Sequence, residues 1–310
     1  MRALVIGGSG MIGANLVRKL LAEDCTVTVA ARRARHAPRL AELAHLRTVE
    51  IDCRDGVAID AVVKDTQPDV LFHLVSSSFN PPTTTAQDHL TINALGTLNV
   101  LEAARHHAVG RVILTGSAAE YGSCNDIGER HDTRPATIYG ATKLCGSVLG
   151  QAYARTYGLP VVNLRLFTPF GPWERPSRLI PSTILSALAG EPVKIGSGKP
   201  ERDFLFVADV VDALMAASTA PLEPCTIFNI ASGRGTTVME AVQTILELMQ
   251  VRVPIECAEP QRSDEILRMS GNADAARNAL GWQPRHDFRS GLEKTIEWFS
   301  ANTGLAPLLA

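Results

Sequence analysis

The segment Leu4-Val5-Ile6-Gly7-Gly8-Ser9-Gly10-Met11-Ile12-Gly13 constrains this chain more than any other. A short apolar run is followed by glycines at 7, 8, 10 and 13, then by apolar residues at three- and four-residue spacing, which reads as strand, tight turn and helix. The glycines satisfy both GxGxxG and GxxGxxG spacing. Such a turn lets main-chain N–H groups approach a pyrophosphate, and the start of the helix adds a partial positive charge. Gly7, Gly10, Met11, Ile12 and Gly13 are therefore the expected cradle of a dinucleotide. A bare strand-to-helix turn would carry the same glycines without a ligand; the place of this one at the head of an alternating series decides between the two.

That series is explicit. Strand patterns at 3–6, 26–30, 48–51, 70–74, 111–115 and 161–166 alternate with helical patterns at 11–22, 58–66, 91–107 and 138–157. This predicts an α/β fold, a doubly wound parallel sheet of the Rossmann kind. After Phe167 the texture changes, with prolines at 169, 172, 176 and 181 and glycines at 190, 196 and 198. We read residues 1–167 as a dinucleotide-binding domain, 168–203 and 231–310 mainly as a smaller substrate lobe, and 204–230 as a return to the first domain. The 310 residues, 45% hydrophobic, suffice for this core, and 30 basic against 32 acidic residues offer no field for nucleic acid or an anionic membrane. No run approaches the roughly 20 apolar residues of a membrane helix. Six cysteines without a CxxC pair read as reduced packing residues, with no metal site, in a reducing and hence cytoplasmic setting.

Two further patterns carry chemistry. A fold of this kind that prefers NAD usually places an acid at the end of its second strand, about 20 residues past the glycines. Here the strand runs into Ala31, Arg32 and Arg33, with Arg35 and Arg39 beyond. Guanidiniums suit a 2′-phosphate, so NADP is the expected cofactor and NAD the alternative; a solvated basic loop is the bland reading. Asp52, after the third strand, is placed to receive the adenine amino group; an ordinary surface aspartate is the other reading. On the helix 138–157, Tyr139 and Lys143 stand four residues apart and share a face. A phenol with a pKa of about 10 needs a neighbouring ammonium to exchange protons near neutrality. Ser117, in TGSAAEYG, belongs at the carboxyl edge of the sheet, where such folds bind ligands.

Taken in order, GGSGMIG, FHLVSS, NALGT, TGSAAEYG, YGATK, RLFTPFGP and ERDFLFVADV resemble the extended short-chain dehydrogenase/reductase family of nucleotide-sugar epimerases, dehydratases and reductases. The resemblance runs over nearly the whole chain. It implies a Ser117–Tyr139–Lys143 catalytic triad, with Lys143 also holding the nicotinamide ribose. It implies cofactor contacts from Cys53, Leu74, Ser76, Asn93 and Phe167, and substrate contacts from Ser77, Ser117, Ala118, Thr168, Arg178, Arg202 and Arg262. The last two arginines match positions that clamp a diphosphate, whereas Thr168 replaces an asparagine of many relatives. The substrate implied is a nucleoside-diphosphate sugar, and helices 91–107 and 138–157 look like a homodimer pair.

The family's 4,6-dehydratases carry Asp-Glu directly after the serine or threonine, where this chain has Ala118 and Ala119. Methyl groups shuttle no protons, which argues against dehydration. Glu120 comes one place late and, on a continuing strand, points to the other face. The remaining readings are an NADPH-dependent 4-ketoreductase, favoured by Arg32 and Arg33, and an NAD-dependent 4-epimerase. A non-catalytic dinucleotide sensor would keep the glycines and lose the tyrosine or lysine.

Overall fold

The central N-terminal strands are apolar on both faces, so both sides of their sheet need cover. The computed structural model describes residues 1–43, 45–77, 84–258 and 266–309. In it β1 (Arg2–Ile6), α1 (Met11–Ala22), β2 (Thr26–Ala31), β3 (Arg47–Glu50), α2 (Gly56–Thr66) and β4 (Val70–His73) lead into α3 (Ala86–His89). A π-helical stretch, Leu90–Leu95, joins α3 to α4 (Gly96–His106), followed by β5 (Arg111–Ser117), β6 (Cys124–Ile127), α5 (Ile138–Tyr157) and β7 (Val161–Leu166). Then come β8 (Thr168–Phe170), α6 (Leu179–Ala189), β9 (Val193–Ile195), β10 (Glu201–Phe206), α7 (Val207–Thr219) and β11 (Thr226–Ile230). The last elements are β12 (Gly235–Thr237), α8 (Val238–Met249), β13 (Ile255–Cys257), β14 (Met269–Gly271), α9 (Asp274–Leu280) and α10 (Phe288–Ala301).

Seven strands form one parallel sheet in the order β11-β7-β5-β4-β1-β2-β3. Val5, Val29 and Phe72 pack with Leu16 and Leu20 of α1 and Leu214 of α7 on one face. Leu4, Leu71 and Val112 pack with Ile59, Leu101 and Tyr153 of α2, α4 and α5 on the other. The strand order reverses between β1 and β4, so the crevice for a ligand lies beyond their carboxyl ends. Local punctuation sets the helix ends there. Thr137 accepts the Gly140 N–H to start α5, and Gly158 ends it in the left-handed region at φ 65°.

Three expectations shift. The helix read as 91–107 begins earlier, because Thr85 and Asp88 form a reciprocal capping box, and it winds as a π-helix around Asn93. Residues 204–206 do not return to the large sheet. Phe204 and Phe206 bury with Phe170 and Leu292 in the second lobe, where β10 pairs with β8 and β12, while α7 and β11 pack with the first domain. The cysteines are not all packing residues either: Cys53 is buried, but Cys124, Cys145 and Cys257 are exposed. Among the described residues no helix is long and apolar enough to cross a membrane.

Candidate active site

Two glycines of the first loop are required by close approach. Gly7 has φ +90°, and a Cβ there would lie 2.8 Å from the Val75 nitrogen; a Cβ at Gly13 would lie 2.6 Å from the Gly7 carbonyl oxygen. The N-cap of α1 is Gly10, no side chain caps the helix, and its first turn holds no acid. The first-turn N–H groups thus face the crevice without a protein side chain to satisfy them, which fits an anionic pyrophosphate.

Around this cradle the basic cluster divides in two. The side chains of Arg32 and Arg33, past the end of β2, are exposed and make no hydrogen bond or ion pair with any described residue. Arg39, expected beside them, instead donates to the main-chain oxygens of Trp173 (2.8 Å) and Leu309 (3.1 Å), and burial pushes it down to about 10. Asp52 is gripped by its neighbour Arg54 at 2.6 and 3.0 Å, and those hydrogen bonds hold its carboxyl below the usual range. Cys53 is buried, close enough to Gly96 that a Cβ there would lie 2.8 Å from its Sγ, and desolvation pushes the thiol up to about 11.

Ser117, Tyr139 and Lys143 come from the end of β5 and the first turns of α5. Gly140 makes this possible, since its Cα packs directly on the Ala119 carbonyl and leaves no room for a side chain. The Ser76 hydroxyl lies 3.3 Å from the Tyr139 phenol oxygen. Lys143 is buried and donates to the Thr115 carbonyl at 2.5 Å, while Thr115 Oγ1 donates to the His73 carbonyl. Beneath it, burial and the Lys143 charge push His73 down to about 3, so the imidazole stays neutral. Ser117 Oγ accepts the Ala119 N–H at 3.2 Å, which leaves its proton available to a ligand.

Other expected contacts face inward. Ser77 is buried: its N–H donates to Asn93 Oδ1, and its hydroxyl receives Asn93 Nδ2 at 2.8 Å and lies 2.7 Å from His89 Nδ1. Asn93, itself 2% exposed, also donates to Thr142 on α5. These two residues brace the loop after β4 against α5, with their polar groups committed to protein. Ala118 and Phe167 are buried together in a cluster that includes Tyr139 at its edge. Leu74 and Thr168 are half-buried. Arg178, the N-cap of α6, stands 3.5 Å from the buried Glu174. Arg202 donates through Nη1 to the carbonyls of Glu201 and Ile266 at 2.8 and 2.7 Å. Arg262 lies outside the described residues.

Sequence reasoning missed His89, whose ring meets that of Tyr139 edge-on at 6.0 Å. Its spacing of four from Asn93 was the available signal. It also misjudged Glu120: residues Ala118–Glu120 form a 3-10 turn rather than a continuing strand, and the carboxylate is fully buried.

The sheet order and the glycine loop together define a Rossmann-type dinucleotide-binding enzyme. A family model described as the NAD dependent epimerase/dehydratase family matches residues 3–231. The dTDP-glucose 4,6-dehydratase of Neisseria meningitidis serogroup B is 30% identical over 97% of this chain and 94% of the relative. The solved epimerase Mth375 of Methanothermobacter thermautotrophicus superposes with a TM-score of 0.91 at 31% identity, covering 99% of this chain and 94% of the other. MoeE5 in complex with UDP-glucose and NAD gives a TM-score of 0.90 at 31% identity, covering 98% and 100%. The chain belongs to the NAD-dependent epimerase/dehydratase family, enzymes of the extended short-chain dehydrogenase type.

Proposed function

We propose that this enzyme is an NADPH-dependent 4-ketoreductase of a nucleoside-diphosphate keto-sugar, acting as a cytoplasmic homodimer through the α4 and α5 faces. The observation that carries the reading is the exposed, unpartnered pair Arg32 and Arg33 where an NAD-preferring fold presents an acid. A reductase consumes its cofactor and draws on the reduced NADP pool. Leu95, Val148 and Tyr157, exposed on the composite helix and α5, support the dimer.

Bound NADPH supplies a hydride to the sugar carbonyl carbon. Ser117, its oxygen already accepting from Ala119, donates its proton in a hydrogen bond to the carbonyl oxygen. Tyr139 transfers a proton to that oxygen, giving the alcohol, and the nearby Lys143 ammonium favours the phenolate left behind. Ala118 and Ala119 have no ionisable group, and Glu120 is turned into the core, so the turn supplies no acid–base pair for loss of water. Arg178 and Arg202, with Arg262, are the proposed grip on the diphosphate.

A second reading, an NAD-dependent 4-epimerase, is favoured by one observation, the UDP-glucose and NAD bound by MoeE5. The test is to incubate the protein with NADPH and a nucleoside-diphosphate 4-keto-6-deoxyhexose, and separately with NAD and UDP-glucose. Reduction of the keto-sugar with stoichiometric loss of NADPH is the expected result. An epimer formed without net cofactor change would replace this reading with the second.

A further inference from the structure

Behind Ser117 lies a charged pair that the reaction does not use directly. Glu120 is fully buried, and each of its carboxylate oxygens has a separate task. Oε1 accepts the Ser117 main-chain N–H at 2.8 Å. Oε2 accepts Arg165 Nε and the Ser147 hydroxyl, both at 2.8 Å. Arg165, 4% exposed in its side chain, donates onward to the Tyr121 phenol at 2.7 Å. The carboxylate has no slack, because a Cβ at Gly116 would lie 2.7 Å from Oε1.

Buried ion pairs are weak evidence for stability, since apolar residues of similar volume often replace them without loss. This one does more than fill space. It fastens the peptide N–H of Ser117 to the guanidinium of β7 and to the α5 face that carries Tyr139 and Lys143. We infer that Glu120 is a positioning residue, which fixes Ser117 so that its hydroxyl meets the reacting sugar oxygen. The serine's backbone is clamped from beneath, and its Oγ is oriented from the side by Ala119. Glu120 itself never meets substrate, as both its oxygens are used inside the protein.

The inference rests on the proposed proton transfer at a sugar oxygen, a step common to reduction and epimerisation. The experiment is a double-mutant cycle on kcat and KM, with wild-type turnover measured in parallel in both assays. Glu120→Asp keeps a charge for Arg165 but shortens the reach to the Ser117 N–H. Its cofactor affinity should hold and its thermal midpoint drop only as far as one lost buried hydrogen bond entails, while kcat falls about 100-fold at unchanged KM, as misplacement of a reacting group entails. Added to Ser117→Ala, it should cause no further loss, because the group being positioned is already gone. Wild-type kcat in folded Glu120→Asp, or losses that multiply with Ser117→Ala, would overturn the assignment. Should Glu120→Asp fail to fold, Glu120→Gln with Arg165→Gln removes both charges and carries the same two expectations. Failure of both to fold would make the pair a folding element and end the proposal. An inactive wild type would instead count against the proposed reaction.

Discussion

The ammonium of Lys143 donates to the main-chain carbonyl of Thr115 across 2.5 Å, which ties the fourth residue after Tyr139 to the strand that ends in Ser117. Lys143→Met should lower kcat by about 100-fold or more and weaken the cofactor, since one cation is proposed to serve both the phenol and the ribose. Titration of NADPH by fluorescence checks the second effect; unchanged affinity would confine Lys143 to the proton step.

Tyr139→Phe keeps the ring and loses the oxygen beside Ser76. Turnover should fall by about 100- to 10,000-fold with cofactor binding retained. Full activity in this variant would remove Tyr139 from the chemistry.

The proposed preference for NADP rests on Arg32 and Arg33. Ala31→Asp with Arg32→Ala exchanges a phosphate partner for an acceptor of the ribose hydroxyl, so the preference should reverse toward NADH. The proposed wild-type preference for NADPH should shrink at high salt, because exposed charges are screened. Dissociation constants of both reduced cofactors decide it, and tighter wild-type binding of NADH would favour epimerisation.

Arg202→Ala should weaken nucleotide-sugar binding by about 2 to 5 kcal/mol if the guanidinium reaches a desolvated diphosphate. Calorimetry measures this, and a melting curve shows separately what the bond to the Ile266 carbonyl contributes to the fold. A binding loss below about 0.5 kcal/mol would leave Arg202 a purely structural link.

Glu174 sets a pH window. Burial pushes its carboxyl up to about 7, against the opposing pull of Arg178, from an ordinary value of 4.5. The folded chain therefore holds a proton that the unfolded chain releases, so this stabilisation is complete below about 4.5 and lost as pH rises through about 7. Glu174→Gln keeps the side chain neutral at every pH. Its stability relative to wild type should rise by about 1 to 3 kcal/mol between pH 5 and 8. Parallel pH curves for the two proteins would assign the titration to another group.

Much of the fold was legible because its boundaries are local. Gly10 opens α1, and Thr137 and Gly158 bracket α5, so both helices end where the residue pattern says they should. The inner layer of the site was not legible, because it depends on residues distant in sequence. Glu120 acquires its role only when a 3-10 turn points it at Arg165, and Ser77 turns inward only because Asn93 lies in a π-helical turn and His89 beneath it. The division of the arginines depends on the fold in the same way: Arg39 leaves the basic cluster because the carbonyls of Trp173 and Leu309 come within its reach.

If the tip reads the cofactor as proposed, that division makes cofactor preference separable from cohesion. The side chains of Arg32 and Arg33 are exposed and make no hydrogen bond or ion pair with a described residue, so replacing them should leave the core as it was. Arg39, a few residues on, latches the same loop to the second lobe and the C-terminal tail. On the proposed reading, substitutions at the loop's tip would change cofactor choice without loosening the lobes, whereas a change at Arg39 would loosen them.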